Sequence, residues 1–201
     1  MIERHAAVVL AAGGSRRLGH PKQLLTRDGE TLVHRAARLA SETLPLHTVV
    51  IAGAYGDEIS AALADLACDV VVNPRWDAGL STSLDVAAQR LCTHDGPILI
   101  VACDQPALAM AHLQRLLAGA AGAATGCAAT AHGERLGIPA VVPAHVLQQA
   151  HALSGDRGFS DTLNALARNA VWRLAAPELQ LDIDTPESEQ AAIARGLLDP
   201  S

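Results

Sequence analysis

Three groups of residues in this chain are of the types that handle phosphate and hard metal ions. The first is Gly13-Gly14-Ser15-Arg16-Arg17, followed by Gly19 and Lys22, directly after an apolar run at residues 6–12. Glycines let backbone N–H groups approach an anion closely, and Arg and Lys supply the opposing charge. The second is Asp104, in Cys103-Asp104-Gln105-Pro106 at the end of the apolar run 98–103. Mg2+ takes one or two carboxylates plus phosphate oxygens, so a strand-end carboxylate beside a phosphate loop is a natural ligand. A turn aspartate near a proline is the structural alternative. The third group is Asp182-Ile183-Asp184-Thr185-Pro186-Glu187. With period-two alternation Asp182 and Asp184 share one face. Asp184 or Thr185 can equally cap a helix that starts at Pro186.

The glycine loop can be tested against two common phosphate-binding patterns. Gly14 and Gly19 have the Walker A spacing, but His20-Pro21 stand where Lys-Ser/Thr is required. The dinucleotide pattern G-x-G-x-x-G fails in both registers: from Gly13 it meets Ser15 and Leu18, and from Gly14 it meets Arg16. The second strand ends Ile51-Ala52-Gly53, with no acidic residue for a ribose.

The elements that must carry these residues are short apolar runs alternating with helical stretches, the pattern of an α/β fold with a mostly parallel sheet. Strands are predicted over residues 6–12, 47–52, 69–73, 98–103, 123–130, 140–142, 171–174 and 180–183. Helices are predicted over 31–43, 57–66, 81–92, 108–118, 144–151, 160–169 and 186–198. In such a sheet ligands bind beyond the carboxyl ends of the strands, which puts Asp104 on the edge that carries the glycine loop. The 201 residues suit a single domain over 1–201, with no linker or internal repeat.

Composition narrows the partners. The net charge is −6, so no basic face for nucleic acid is implied. Only Tyr55, Trp76, Phe159 and Trp172 are aromatic, too few for single-strand stacking. Cys68, Cys92, Cys103 and Cys127 form no C-x-x-C pair and read as free thiols of a reducing compartment. The nine histidines show no metal-ligand spacing. The 6–12 run is too short for a signal core and its arginines follow it; no run approaches a membrane span. A cytoplasmic, membrane-free protein is expected.

Leu10-Ala11-Ala12-Gly13-Gly14-Ser15, with Arg17, Gly19 and Lys22, resembles the opening L-A-[AG]-G-x-[GS]-x-R-[ML]-G…K of the sugar-nucleotide-type nucleotidyltransferases. Asp104 with Pro106, and the late D-x-D-T-P-E segment, resemble two further motifs of that superfamily. Asn73-Pro74-Arg75-Trp76 through Gly79 to Ser83-Leu84 resembles N-x-x-W-x-x-G-x-x-x-S-L. Gly137-Ile138-Pro139 resembles G-x-P, and Gly155-Asp156-Arg157-Gly158 resembles G-D-[KR]-G. These three point to the molybdenum cofactor cytidylyltransferase group of the MobA-like NTP transferases. Two departures stand out. Phe159-Ser160 replace an Ala-Arg pair, and Ser188 replaces the final Asp of the last motif, which removes a possible helix cap.

The resemblance implies a three-layer α/β/α, Rossmann-like nucleotidyltransferase. Its reaction would move a nucleotidyl group from an NTP to a phosphorylated acceptor and release pyrophosphate. It implies Arg17, Lys22 and Asp104 as catalytic residues, and Leu10, Ala11, Ala12, Gly13, Gly14, Ser15, Asn73 and Ser83 as nucleotide-binding. Asp104 and Asp184 would hold Mg2+, and Gly155, Asp156 and Arg157 would meet the acceptor. Ala12 stands where guanylyl members tend to have Gly, which favours CTP, with molybdopterin as acceptor and a molybdoenzyme as possible client. A sugar or polyol phosphate acceptor, or a non-catalytic cofactor carrier or insertion chaperone, is the alternative. Arg16 is expected to point to solvent.

Overall fold

The computed structural model describes residues 4–167 and 169–200. In chain order the strands are β1 (Ala6–Ala11), β2 (Thr26–Arg27), β3 (Glu30–Thr31), β4 (Thr48–Ala52), β5 (Asp69–Val72), β6 (Pro97–Ala102), β7 (Cys127–His132), β8 (Arg135–Pro143) and β9 (Val171–Ala175). The α-helices are α1 (Leu32–Ser41), α2 (Gly56–Ala62), α3 (Leu80–Arg90), α4 (Met110–Gly122), α5 (Ala144–Leu147), α6 (Ser160–Ala165) and α7 (Pro186–Ala194).

Seven strands form one sheet in the order β5-β4-β1-β6-β8-β7-β9, and β2 and β3 form a separate hairpin. The sheet is mostly parallel, with β8 antiparallel to both its neighbours. All six residues of β1 are buried, because both sheet faces are covered by helices. Ala7, Val9 and Ala11 face a core shared with α1, α2 and α4. Ala6, Val8 and Leu10 face a second core shared with α3, α5 and α6. The result is three layers, α/β/α. A third apolar cluster joins Leu18 of the glycine loop to Ile183 and to Ala192 of α7, so the chain's last helix packs on its first loop.

Most elements fall where the sequence places them, and the differences have local causes. The strand expected at 123–130 is Cys127–His132, because α4 runs on to Gly122. The strand expected at 140–142 is the longer β8. Residues 180–183 are not a strand: Pro177 starts a 3-10 turn, Pro177–Gln180, and Asp182 follows in irregular chain. The helix expected at 160–169 stops at Ala165, and residue 168 within it lies outside the described residues, as do 1–3 and 201 of the expected domain. The last helix, expected at 186–198, ends at Ala194. Loss of the final Asp at Ser188 does not remove the cap. The Thr185 hydroxyl accepts from Ser188 N at 3.3 Å, and Ser188 Oγ accepts from Thr185 N at 3.0 Å.

Candidate active site

The chain passes from β1 to β4 and β5 on one side, then returns to β6 on the other side of β1. That reversal opens a crevice between the carboxyl ends of β1 and β6, where open α/β sheets bind ligands. The register pairs Leu10 with Ala102, so the glycine loop and Asp104 leave the sheet side by side.

The loop itself is held in an unusual shape. Ser15 has φ 48°, in the left-handed region that a non-glycine residue adopts at a cost. From there the chain makes one tight turn, with Leu18 N and Gly19 N donating to Ser15 O. Among the described residues, nothing accepts from the backbone N–H groups of Ser15, Arg16 and Arg17. Successive unpaired N–H groups around a left-handed residue form an anion-binding concavity. Gln23, which is 1% exposed, fixes the loop from beneath. Its Nε2 donates to Ala11 O at 2.9 Å and Gly13 O at 2.6 Å, and its Oε1 accepts from the Ser15 hydroxyl at 3.3 Å.

Opposite the loop lies a charged cluster built from three distant segments. Lys22 Nζ donates to Asp104 Oδ2 at 2.6 Å and to Asp184 Oδ1 at 2.7 Å. Arg17 donates to Asp184 Oδ2 at 3.0 Å. Ile183 N donates to Asp104 O, which ties the two acidic segments together. Burial opposes the charged form of Lys22, but the Asp104 and Asp184 carboxylates outweigh it and raise its pKa. Burial likewise works against the Asp184 carboxylate, yet Lys22 and Arg17 hold its pKa below the usual range. For Asp182, burial and then the Asp104 charge push the pKa up to about 6, and the favourable effects of Gln105 and His132 are outweighed.

These groups line one cleft of about 660 Å3, within the range of small-molecule sites. Of the residues expected there, Leu10, Ala11, Ala12, Gly13, Gly14, Ser15, Arg17, Lys22, Ser83, Asp104, Asp156 and Asp184 do line it. Asn73 does not. It is fully buried, and its amide is spent on Thr82 Oγ1, Ser83 Oγ and Arg75 N, so it braces the start of α3. Gly155 and Arg157 also lie off the cleft wall. Gly155 O accepts from Ser81 N, and Arg157 is exposed beside Asp161. Arg16 does not simply point to solvent: it lines the cleft with its guanidinium 5.5 Å from the centre of the Trp76 ring.

Sequence reasoning passed over Gln23, Gln105 and His132. Gln105 is buried on the cleft wall, with Nε2 donating to Leu179 O at 3.2 Å. His132 Nε2 donates to Ile138 O at 3.0 Å. Only the position of Gln23 beside Lys22, and of Gln105 beside Asp104, gave a signal.

Comparison with known proteins agrees with this architecture. A model of the MobA-like NTP transferase domain matches residues 7–171. A probable molybdenum cofactor guanylyltransferase of Synechococcus elongatus is 36% identical over 110 residues, which cover 54% of this chain and 55% of that protein. The chain thus spans about half the length of the curated relatives it matches. The crystal structure of an Rv0371c homologue from Mycobacterium sp. strain JC1 matches with a TM-score of 0.80 and 31% identity, over 98% of each chain. Rv0371c of Mycobacterium tuberculosis, solved as a complex with manganese, matches with a TM-score of 0.76 and 28% identity, over 95% of this chain and 98% of that one.

Proposed function

The chain belongs to the MobA-like NTP transferase family, and on that premise we propose that it transfers a nucleotidyl group from an NTP to the phosphate of a small-molecule acceptor. We take molybdopterin as the acceptor and GTP as the donor. The observation that carries the reading is the meeting, in one cleft, of the anion-binding turn at Ser15 with the Lys22–Asp104–Asp184 cluster.

The donor set fits a hard divalent cation. Two carboxylates that converge at 2.6 and 2.7 Å on one ammonium can converge on one ion, with phosphate and water supplying the other oxygens. Asp104 and Asp184 are therefore the ligands we assign. A bound Mg2+ or Mn2+ would supply charge neutralisation at the phosphates. The manganese complex of the similar mycobacterial protein supports a divalent cation as the ion class.

The residues of the chain then divide the work. The Ser15 turn seats the NTP phosphates on backbone N–H groups. Arg17 and Lys22 offset the charge that grows on the leaving pyrophosphate. The acceptor phosphate is already ionised, so no protein base or nucleophile is needed. Its oxygen forms the new bond to the α-phosphorus as the bond to the β-phosphate oxygen breaks, and alignment is what the site must provide.

The expectation of CTP finds no support in the curated relatives, which are named guanylyltransferases. Its steric basis is also thin. Ala12 is only 8% exposed and packs in the apolar cluster of Leu10 and Leu84, so its methyl offers little surface to a base. GTP is therefore the donor we favour. The test is a single reaction holding equal GTP, CTP, ATP and UTP with molybdopterin and Mg2+, read by product mass. A guanylyl adduct is expected. A cytidylyl adduct would reverse the choice of base, and no adduct with any NTP would overturn the reading.

A further inference from the structure

We propose that Arg16 is a further phosphate-binding residue of the donor site, resting on the face of Trp76 until the NTP arrives. The proposal rests on the nucleotidyltransferase reading above and adds a residue to it.

The charge arrangement of the cleft carries the inference. Its two other cations are already taken: Lys22 bridges Asp104 and Asp184, and Arg17 holds Asp184. Among the described residues, no carboxylate pairs with Arg16. Its guanidinium instead lies over the Trp76 ring, 5.5 Å from the centroid, and both residues line the cleft. A cation–π contact at an exposed site is weaker than charge-assisted bonds to a polyphosphate, so an arriving triphosphate can draw Arg16 off the ring. The side chain starts from the same turn that presents the Ser15 amides, so it has only to rotate.

The resting place is itself built into the loop. A Cβ added at Gly14 would lie 2.5 Å from the Trp76 ring, and one at Gly53 would lie 2.7 Å from Trp76 Cβ. Trp76 is therefore packed against Gly14 of the glycine loop and against Gly53, at a distance that only glycine allows. Tyr55 steadies the same place by donating its hydroxyl hydrogen to Gly14 O at 3.3 Å. Arg16 is itself part of the anion-binding turn, and its resting surface is packed against the same loop.

Tryptophan emission provides the readout. The chain has two tryptophans, and Trp172 lies across the sheet from the cleft, against Gly119 of α4. Inorganic tripolyphosphate and GTP would each be titrated, without metal, by calorimetry and by emission. Wild type should bind both with a saturable emission change. Arg16→Ala should bind about tenfold more weakly, the loss of one charge-assisted contact, and lose the emission change. Arg16→Lys should recover part of the affinity, and Trp76→Phe should bind but stay silent. In turnover, Arg16→Ala should raise the KM for NTP more than it lowers kcat. Wild-type affinity in Arg16→Ala, or binding by wild type with no emission change, would overturn the proposal and leave the enzymatic reading intact. Failure of wild type to bind either ligand without metal would overturn the proposal, and failure to turn over any NTP with Mg2+ and the acceptor would overturn both.

Discussion

Replacing Lys22 by Met removes the ammonium that holds Asp104 and Asp184 together while keeping most of the side chain's bulk. The two carboxylate oxygens each lie within 2.7 Å of that nitrogen, so they are at most about 5 Å apart. Two unit charges at ~5 Å repel by about 3 kcal/mol at an effective dielectric of 20 and by about 1 kcal/mol in bulk water. Asp184 is 42% exposed and keeps Arg17, which argues for the lower part of that range. A destabilisation of about 1–2 kcal/mol corresponds to a Tm lower by about 2–8 °C for a chain of this size. The assay is thermal unfolding in EDTA and again with Mg2+ or Mn2+. The variant should lose Tm in EDTA, and the ion should stabilise it more than it stabilises wild type, because no ammonium competes for the carboxylates. Its kcat should nonetheless fall on the order of 10²-fold, the scale of losing one donor to transition-state charge. An unchanged Tm in EDTA, with no extra stabilisation by the ion, would refute the bridging role of Lys22.

Three further outcomes follow from the same geometry. Gly14→Ala drives a Cβ to 2.5 Å from the Trp76 ring; calorimetry should show NTP binding at least about tenfold weaker, and Trp76→Leu in the same chain should recover part of it. Gln23→Leu leaves the Ala11 and Gly13 carbonyls without their buried donor; urea unfolding should show a loss of about 1–3 kcal/mol, with a raised KM for NTP. The third concerns Glu30, whose pKa is pulled down to about 2, first by its bond to Arg38, against the opposing effect of burial. Between the ordinary carboxylate pKa and that value the unfolded chain binds a proton that the folded chain does not, so the Glu30 contribution is present above that window and lost as pH falls through it. Melting curves from pH 5 to pH 2 should be flatter for Glu30→Gln than for wild type.

The parts of the site that the sequence made legible are those whose chemistry demands a residue type next to a strand end. Gly13 to Lys22 and Asp104 each follow an apolar run, and Asp184 precedes a helix that Pro186 starts, so each could be placed on the ligand edge without coordinates. What joins them was not legible. Lys22 meets carboxylates 82 and 162 residues away, and no local pattern encodes such a meeting. Gln23 looked like any polar loop residue, yet the loop closes over it and buries it. Asn73 failed in the opposite sense: its motif was recognisable, but its amide turns inward to brace α3. The direction of β8 was hidden because a short apolar run reads the same in either sense. Residues 180–183 alternate like a strand, but Pro177 starts a 3-10 turn through Gln180, and Ile183 N bonds to Asp104 O beyond the end of β6.

The most direct measurement of the central claim is pyrophosphate release, followed alongside nucleotidylated product, with GTP, molybdopterin and Mg2+ supplied to wild type and to Asp104→Asn. The Asp104→Asn chain must first show a native circular dichroism spectrum. Wild type should release one pyrophosphate for each nucleotidylated acceptor formed, stop when the ion is chelated, and the folded variant should release almost none. Pyrophosphate release by Asp104→Asn at the wild-type rate, or wild type that binds the acceptor but releases none with any NTP, would contradict the assignment of this cleft to nucleotidyl transfer.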